Sequence, residues 1–171
     1  MDANALRALQ APLKARYRET PSAARTPAHA EARLVAGAIA CNVKTWSGET
    51  MAGLHAAAGG DGSQACSADM LLEALVACAG VTLSAVATAM GVDIKGGRVT
   101  ADGHWDARGT LGIDKAAPVG LTDTAVAFEL DTSADAQTIE RLIKLTERYC
   151  VILQTLAGGP KLTMSSRIRT P

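Results

Sequence analysis

The sequence predicts an α+β fold with a mostly antiparallel sheet built around one long buried helix. Three observations predict it. Alternating apolar patterns occur in "LVAGAIACNVKTW", "GGRVTADGHW" and "TAVAFEL". A nearly unbroken apolar run, "DMLLEALVACAGVTLSAVATAM" (69–90), is interrupted only by residues a buried helix tolerates. The strands and helices come in blocks rather than in alternating strand–helix units. At 171 residues the chain is long enough for one domain with its own core. Aromatic residues make up only 3% of it, so that core must be built from Ala, Val, Leu and Ile. Such a core buries little area per residue, which favours further burial through oligomerisation.

Residues 1–32 read as an N-terminal helix and linker. Leu6, Leu9, Leu13 and Tyr17 fall three and four apart on one helical stripe, and Pro12 is expected to kink or divide it. The scarcity of acids makes a targeting segment the alternative reading. "TPSAARTPAH" is a linker by composition. Residues 33–171 read as the main domain. Val35, Ile39, Cys41 and Val43 mark one face of a strand from 33 to 46, with Cys41 in the core. "WSGET" is a turn, "TMAGLHAA" the return strand, and "AGGDGSQA" a loop. The long helix spans about 68–90, with Ser67 as N-cap and Gly91 as its stop. Next comes a strand with Val99, Ala101, Gly103 and Trp105 on one side. A loop follows, then a strand through Val126, Phe128 and Leu130. A helix capped by Thr132 or Ser133 carries Ile139, Leu142, Ile143 and Leu145 inward. A short helix ends at Gly158, and "KLTMSSRI" closes as a strand through Leu162, Met164 and Ile168.

Charge excludes one class of function. Lys plus Arg equals Asp plus Glu at 17 each, so the chain lacks the basic footprint of a nucleic-acid binder. Polar residues within 69–90 argue for a buried helix rather than a membrane span. With no secretory pattern at its start, the chain is expected in the cytoplasm. Four cysteines there are not structural disulfides by default, and their spacing matches no zinc motif, so neither metal nor cofactor is expected.

The chemistry lies in two thiols. Cys78 sits on a stripe of small residues (Ala74, Thr82, Ala85) that leaves room beside it. Taken alone, a thiol there is most simply a small core side chain. Cys150 closes "LTERYC", 72 positions later, where one helix gives way to another. A thiol at a helix start is expected to have a lowered pKa. A thiolate with a second thiol nearby is the arrangement that peroxides oxidise, first to sulfenic acid and then to a disulfide.

"DMLLEALVACAGVTLSAVA" followed by "ERYCVILQTL" resembles the OsmC/Ohr family of thiol-dependent hydroperoxide reductases, over roughly residues 33–169. The resemblance implies an OsmC-like fold in an intertwined homodimer with active sites at the subunit interface. It also implies organic hydroperoxides as substrates and a dithiol as reductant. It assigns Cys78 as the peroxidatic and Cys150 as the resolving cysteine. Asp69 matches the family's acidic residue, and Arg33 is the arginine available to stabilise the thiolate. Val151 stands where the family usually has Pro. Asp69 and Cys78 are half a turn apart on a helix, so Asp69 must reach such a site across an interface or from a non-helical first turn. Asp69 also suits a helix N-terminus in its own right, and Glu73 shares its face. Cys66 is an alternative resolving thiol or a plain loop cysteine. His55, His104, Lys115 and Arg148 carry no pattern that selects them over surface placement. Two other functions remain open: a non-catalytic module binding a small hydrophobic ligand on the same fold, and a redox sensor.

Overall fold

The computed structural model describes residues 1–168. Helix α1 (Ala3–Glu19) is capped by Asp2, whose carboxylate accepts the Ala5 N–H at 2.8 Å, and it runs through Pro12 as one helix. It packs on the central helix, but Leu9 and Leu13 stay exposed, so only part of the expected stripe is used. The long strand expected over 33–46 is in fact a hairpin, β1 (Glu31–Leu34) and β2 (Ala40–Thr45). Gly37, at φ 75°, makes the reversal that splits it. Ile39 consequently lies in the turn and is exposed, while Cys41 is half-buried opposite Leu34 and Ala52. β3 (Gly48–Gly53) returns along β2, and the two-residue β4 (Ala65–Cys66) joins its other side in parallel.

Helix α2 (Ser67–Met90) follows at once. Cys66, not Ser67, is its N-cap, and Gly91 ends it in the left-handed conformation at φ 71°. By length and composition α2 could cross a membrane. Here it is the central element, packed by α1, by the strand that follows it (Gly96–Trp105) and by the two helices near the C-terminus (Ala136–Tyr149 and Val151–Gly158). It is buried along a single line, Leu75, Ala79, Leu83 and Ala87, which is the i, i+4 stripe of one helical face. Leu71 and Val81 are exposed. The expectation of a long buried helix is therefore met on one face within one chain.

β5 (Gly96–Trp105) and β6 (Leu121–Asp131) form a separate two-stranded antiparallel sheet, joined through a loop that holds the short α3 (Ala107–Thr110). Their inward faces carry the alternation expected, Val99, Ala101 and Trp105 on one strand and Val126, Phe128 and Leu130 on the other. α4 (Ala136–Tyr149) starts later than expected, because Asp135 is its cap: its carboxylate accepts the Thr138 N–H at 2.7 Å. Thr132 instead donates to the Asp93 carbonyl at 2.7 Å, tying the end of β6 to the α2–β5 loop. Leu142, fully buried, meets Leu83 and Ala87 in the core, with Phe128, Ile139 and Ile143 around them.

α5 (Val151–Gly158) completes the regular structure. Residues 159–168 form neither helix nor strand, contrary to the strand expected there, and Leu162, Met164 and Ile168 are exposed. Alternation supplies a face, but a strand exists only when its backbone is paired, and this segment pairs with no strand among the described residues.

Candidate thiol site

Cys78 projects from the middle of α2. Cys150 stands at the corner where α4 ends and α5 begins, with extended backbone dihedrals of φ −72° and ψ 109°. The corner is held by its own hydrogen bonds. The Cys150 N–H donates to the Thr146 carbonyl at 2.9 Å, and the Gln154 side chain reaches back to the Glu147 carbonyl at 2.9 Å. Buried Thr146 donates its hydroxyl to the Leu142 carbonyl at 2.9 Å, which satisfies it inside the core. α5 packs on α2, so this corner lies over the stripe of small residues around Cys78. The two thiols are near enough for each to shift the ionisation of the other.

Their environments differ. Cys78 is half-buried and Cys150 fully buried. Burial pushes the Cys78 thiol up, but the Ile152 N–H, the Cys150 thiol, the Thr82 hydroxyl and the Val151 N–H all favour its thiolate, and the outcome lies below an ordinary thiol. Burial pushes the Cys150 thiol up too. There the Leu153 N–H opposes it, the Cys78 sulfur pushes further upward, and the outcome lies above the ordinary value. The sequence expectation of a lowered Cys150 is thus reversed. The N–H groups of the first turn of α5 act on both thiols, but at Cys150, whose side chain is fully buried, burial and the neighbouring Cys78 sulfur outweigh them. Thr82, one helical turn beyond Cys78, and the N–H groups of Val151 and Ile152 are the site members that sequence reasoning missed. The Cys78-x-x-x-Thr82 spacing was the available signal for the first of them.

The other candidates lie elsewhere in the chain. Arg33, on β1, is exposed and forms an ion pair with Glu49 of β3. Asp69 is exposed on the first turn of α2, where with Glu73, Cys66 and His55 it lines a cavity of about 300 Å³. Neither is among the groups shifting Cys78, which are burial and four neutral donors. His55 stacks edge-on against Trp105 at 5.4 Å, and His104 faces the Asp123 carboxylate at 3.0 Å. The Arg148 guanidinium lies over the Tyr149 ring, 5.7 Å from its centre, and Lys115 is exposed. Next to the thiol corner, an apolar cavity of about 600 Å³ opens between α2, β6, α4 and α5. Neither thiol lines it. Its α2 wall, Leu71 and Leu75, ends one turn short of Cys78, and its α5 wall begins at Leu153, directly after Ile152.

A family model described as OsmC-like protein matches residues 60–165. An OsmC-like protein from Mycoplasma pneumoniae has a similar structure, with a TM-score of 0.65 at 16% identity, over 78% of this chain and 89% of that one. An organic hydroperoxide resistance protein from Elizabethkingia anophelis aligns with a TM-score of 0.63 at 17% identity, over 79% of this chain and 92% of its own. A Legionella pneumophila organic hydroperoxide resistance protein, OsmC, aligns with a TM-score of 0.58 at 15% identity, over 78% and 93%. At these identities the likeness is one of fold. No curated protein matches the chain.

Proposed function

The chain belongs to the OsmC-like protein family, and on that premise we propose that it is a two-cysteine peroxidase that reduces organic hydroperoxides and works as a homodimer. The observation that carries this reading is the asymmetry of two thiols that the packing of α5 on α2 brings together: a half-buried one whose thiolate is favoured, and a buried one whose thiol form is favoured. The Cys78 thiolate attacks the terminal oxygen of ROOH. The S–O bond forms as the O–O bond breaks, and the alkoxide takes up a proton and leaves as ROH. The sulfur, now a sulfenic acid, has been oxidised by two electrons and the peroxide reduced by two. Cys150 then attacks that sulfur, the hydroxyl leaves as water with the proton Cys150 gives up, and a disulfide remains. A dithiol of unassigned identity returns both residues to thiols. The Thr82 hydroxyl and the Val151 and Ile152 N–H groups hold the thiolate beforehand, with no rearrangement needed during the step.

One equivalent of cumene hydroperoxide is expected to form a single intramolecular Cys78–Cys150 bridge, reversible by dithiothreitol. Cys150→Ser is expected to stop at sulfenic acid on Cys78, then over-oxidise with excess peroxide. Peptide mapping decides this. A Cys66–Cys78 bridge would transfer the resolving role to Cys66. Four free thiols after treatment would sink the peroxidase reading and favour a ligand-binding module, which the apolar cavity of about 600 Å³ would serve.

Three observations support the dimer. The chain exposes 13,014 Å², whereas a compact monomer of its mass exposes about 7,900 Å². Apolar side chains of α2 face solvent, among them Val81 at 72% exposure. The alternating segment 161–168 pairs with no strand among the described residues. In the dimer we assign Arg33 and Asp69 to the thiol pair of the other copy. Light scattering is expected to give the mass of two chains. Arg33→Gln and Cys78→Ser proteins, each impaired alone, are expected to regain activity when unfolded together and refolded as a mixture, because one site then holds both residues. A monomer mass would overturn the dimer, and a mixture no more active than its parts would overturn the cross-interface assignment.

A further inference from the structure

The apolar cavity beside the thiols carries charge of one sign. Leu75, Val126, Phe128, Ile143 and Leu153 make it greasy, and its two charged lining residues are Asp123 on β6 and Glu147 on α4. No Lys or Arg is among the described residues that line it. Asp123 is fixed in place. The Thr122 hydroxyl donates to one carboxylate oxygen at 2.9 Å, and His104 Nδ1 lies 3.0 Å from the other. The Thr122 hydroxyl, then His104, hold its carboxyl below the usual range, so it is ionised at neutral pH. Glu147 sits on the last turn of α4, three residues before Cys150, so the charge is close to the thiol corner as well as to the cavity.

We propose that Asp123 and Glu147 make this cavity select neutral ligands over those that carry a carboxylate, hydroperoxide substrates included. The substrate assignment rests on the peroxidase reading; the charge selection does not. Within one chain an anion entering the cavity meets the Asp123 and Glu147 carboxylates and no Lys or Arg among the described lining residues, while an ester or hydrocarbon of the same shape meets no such opposition. Asp123 is two-thirds exposed, so its field is screened, and the pair is expected to act as a several-fold filter rather than an absolute one.

Two matched pairs of probes test this. N-phenyl-1-naphthylamine and its 8-sulfonate share a skeleton and differ in charge. Fluorescence titration of the full chain and of Asp123→Asn/Glu147→Gln gives the ratio of their Kd values. The ratio is expected to move about five- to tenfold in favour of the sulfonate in the variant. The same shift is expected in the kcat/KM ratio for linoleic acid hydroperoxide against its methyl ester. Glu147→Gln alone, which alters one exposed side chain, is expected to give part of the shift and covers the case in which the double variant misfolds. An unchanged ratio, or failure of both probes to bind, would overturn the proposal. If the probe ratio moves while neither hydroperoxide is consumed, the cavity's charge selection stands and the peroxidase reading falls.

Discussion

Cys78→Ser is expected to abolish hydroperoxide consumption, a loss on the order of 10³-fold or more. A hydroxyl cannot ionise near neutral pH, and within one chain the groups that act on Cys78 besides burial are the Ile152 and Val151 N–H, the Cys150 thiol and the Thr82 hydroxyl, none of them a base. The exchange of one atom on a half-buried side chain leaves the core untouched, so the melting curve should not move. Thr82→Val separates the thiolate's support from the thiolate itself. It deletes one neutral donor to the sulfur, so the rate of Cys78 alkylation by iodoacetamide at neutral pH is expected to fall several-fold while oxidation still occurs. The sign follows from the direction of the shift. Cys78 lies below an ordinary thiol; losing a donor moves it up and leaves less thiolate at a given pH. Full activity in Cys78→Ser would end the proposed chemistry. Unchanged alkylation in Thr82→Val would remove Thr82 from the site.

Leu142→Ala is expected to be the most damaging core substitution, at about 2–5 kcal/mol. Leu142 is 0% exposed and packs against Leu83 and Ala87, the contact that fixes α4 to α2. Its carbonyl also receives the hydroxyl of buried Thr146. At about 2–4 °C per kcal/mol for a chain of this size, the melting temperature should fall by roughly 4–20 °C. Calorimetry at a fixed protein concentration checks this. A fall below about 2 °C would mean that the α2–α4 contact contributes little to the fold. Because α4 leads into Cys150, the same substitution should slow disulfide formation more than it slows the first oxidation of Cys78.

Much of this was legible in the sequence where local pattern decides structure. The limits of α2 and the inward faces of β5 and β6 follow from periodicity, and Gly91 ends its helix as its type suggests. What failed did so for identifiable reasons. "DTSAD" offers several residues able to cap α4, and only the packed structure shows that Thr132 is engaged by Asp93, leaving Asp135 to do it. Gly37 reverses the chain inside an apolar stretch that reads equally well as one strand. Segment 161–168 has the alternation of a strand without the partner. At the site, both thiols stood out by position. The direction of their asymmetry did not, because it depends on how far each sulfur is buried and on how many donors reach it in the packed structure. Arg33 and Asp69 came from resemblance alone, and one chain by itself holds them apart from the groups that shift Cys78.

The 13,014 Å² that one chain exposes changes what stability means for this protein. If that surface is covered by a second copy, the native state is second order in chain and the unfolded state first order. Its stability is then not a fixed property of the sequence but rises with abundance. The midpoint of thermal unfolding should drop on serial dilution. A cell that makes little of the protein would keep a larger unfolded share of it than one that makes much. A substitution on the outer face of α2 would then act as a folding defect whose severity depends on expression level, even though in a single chain it touches only water.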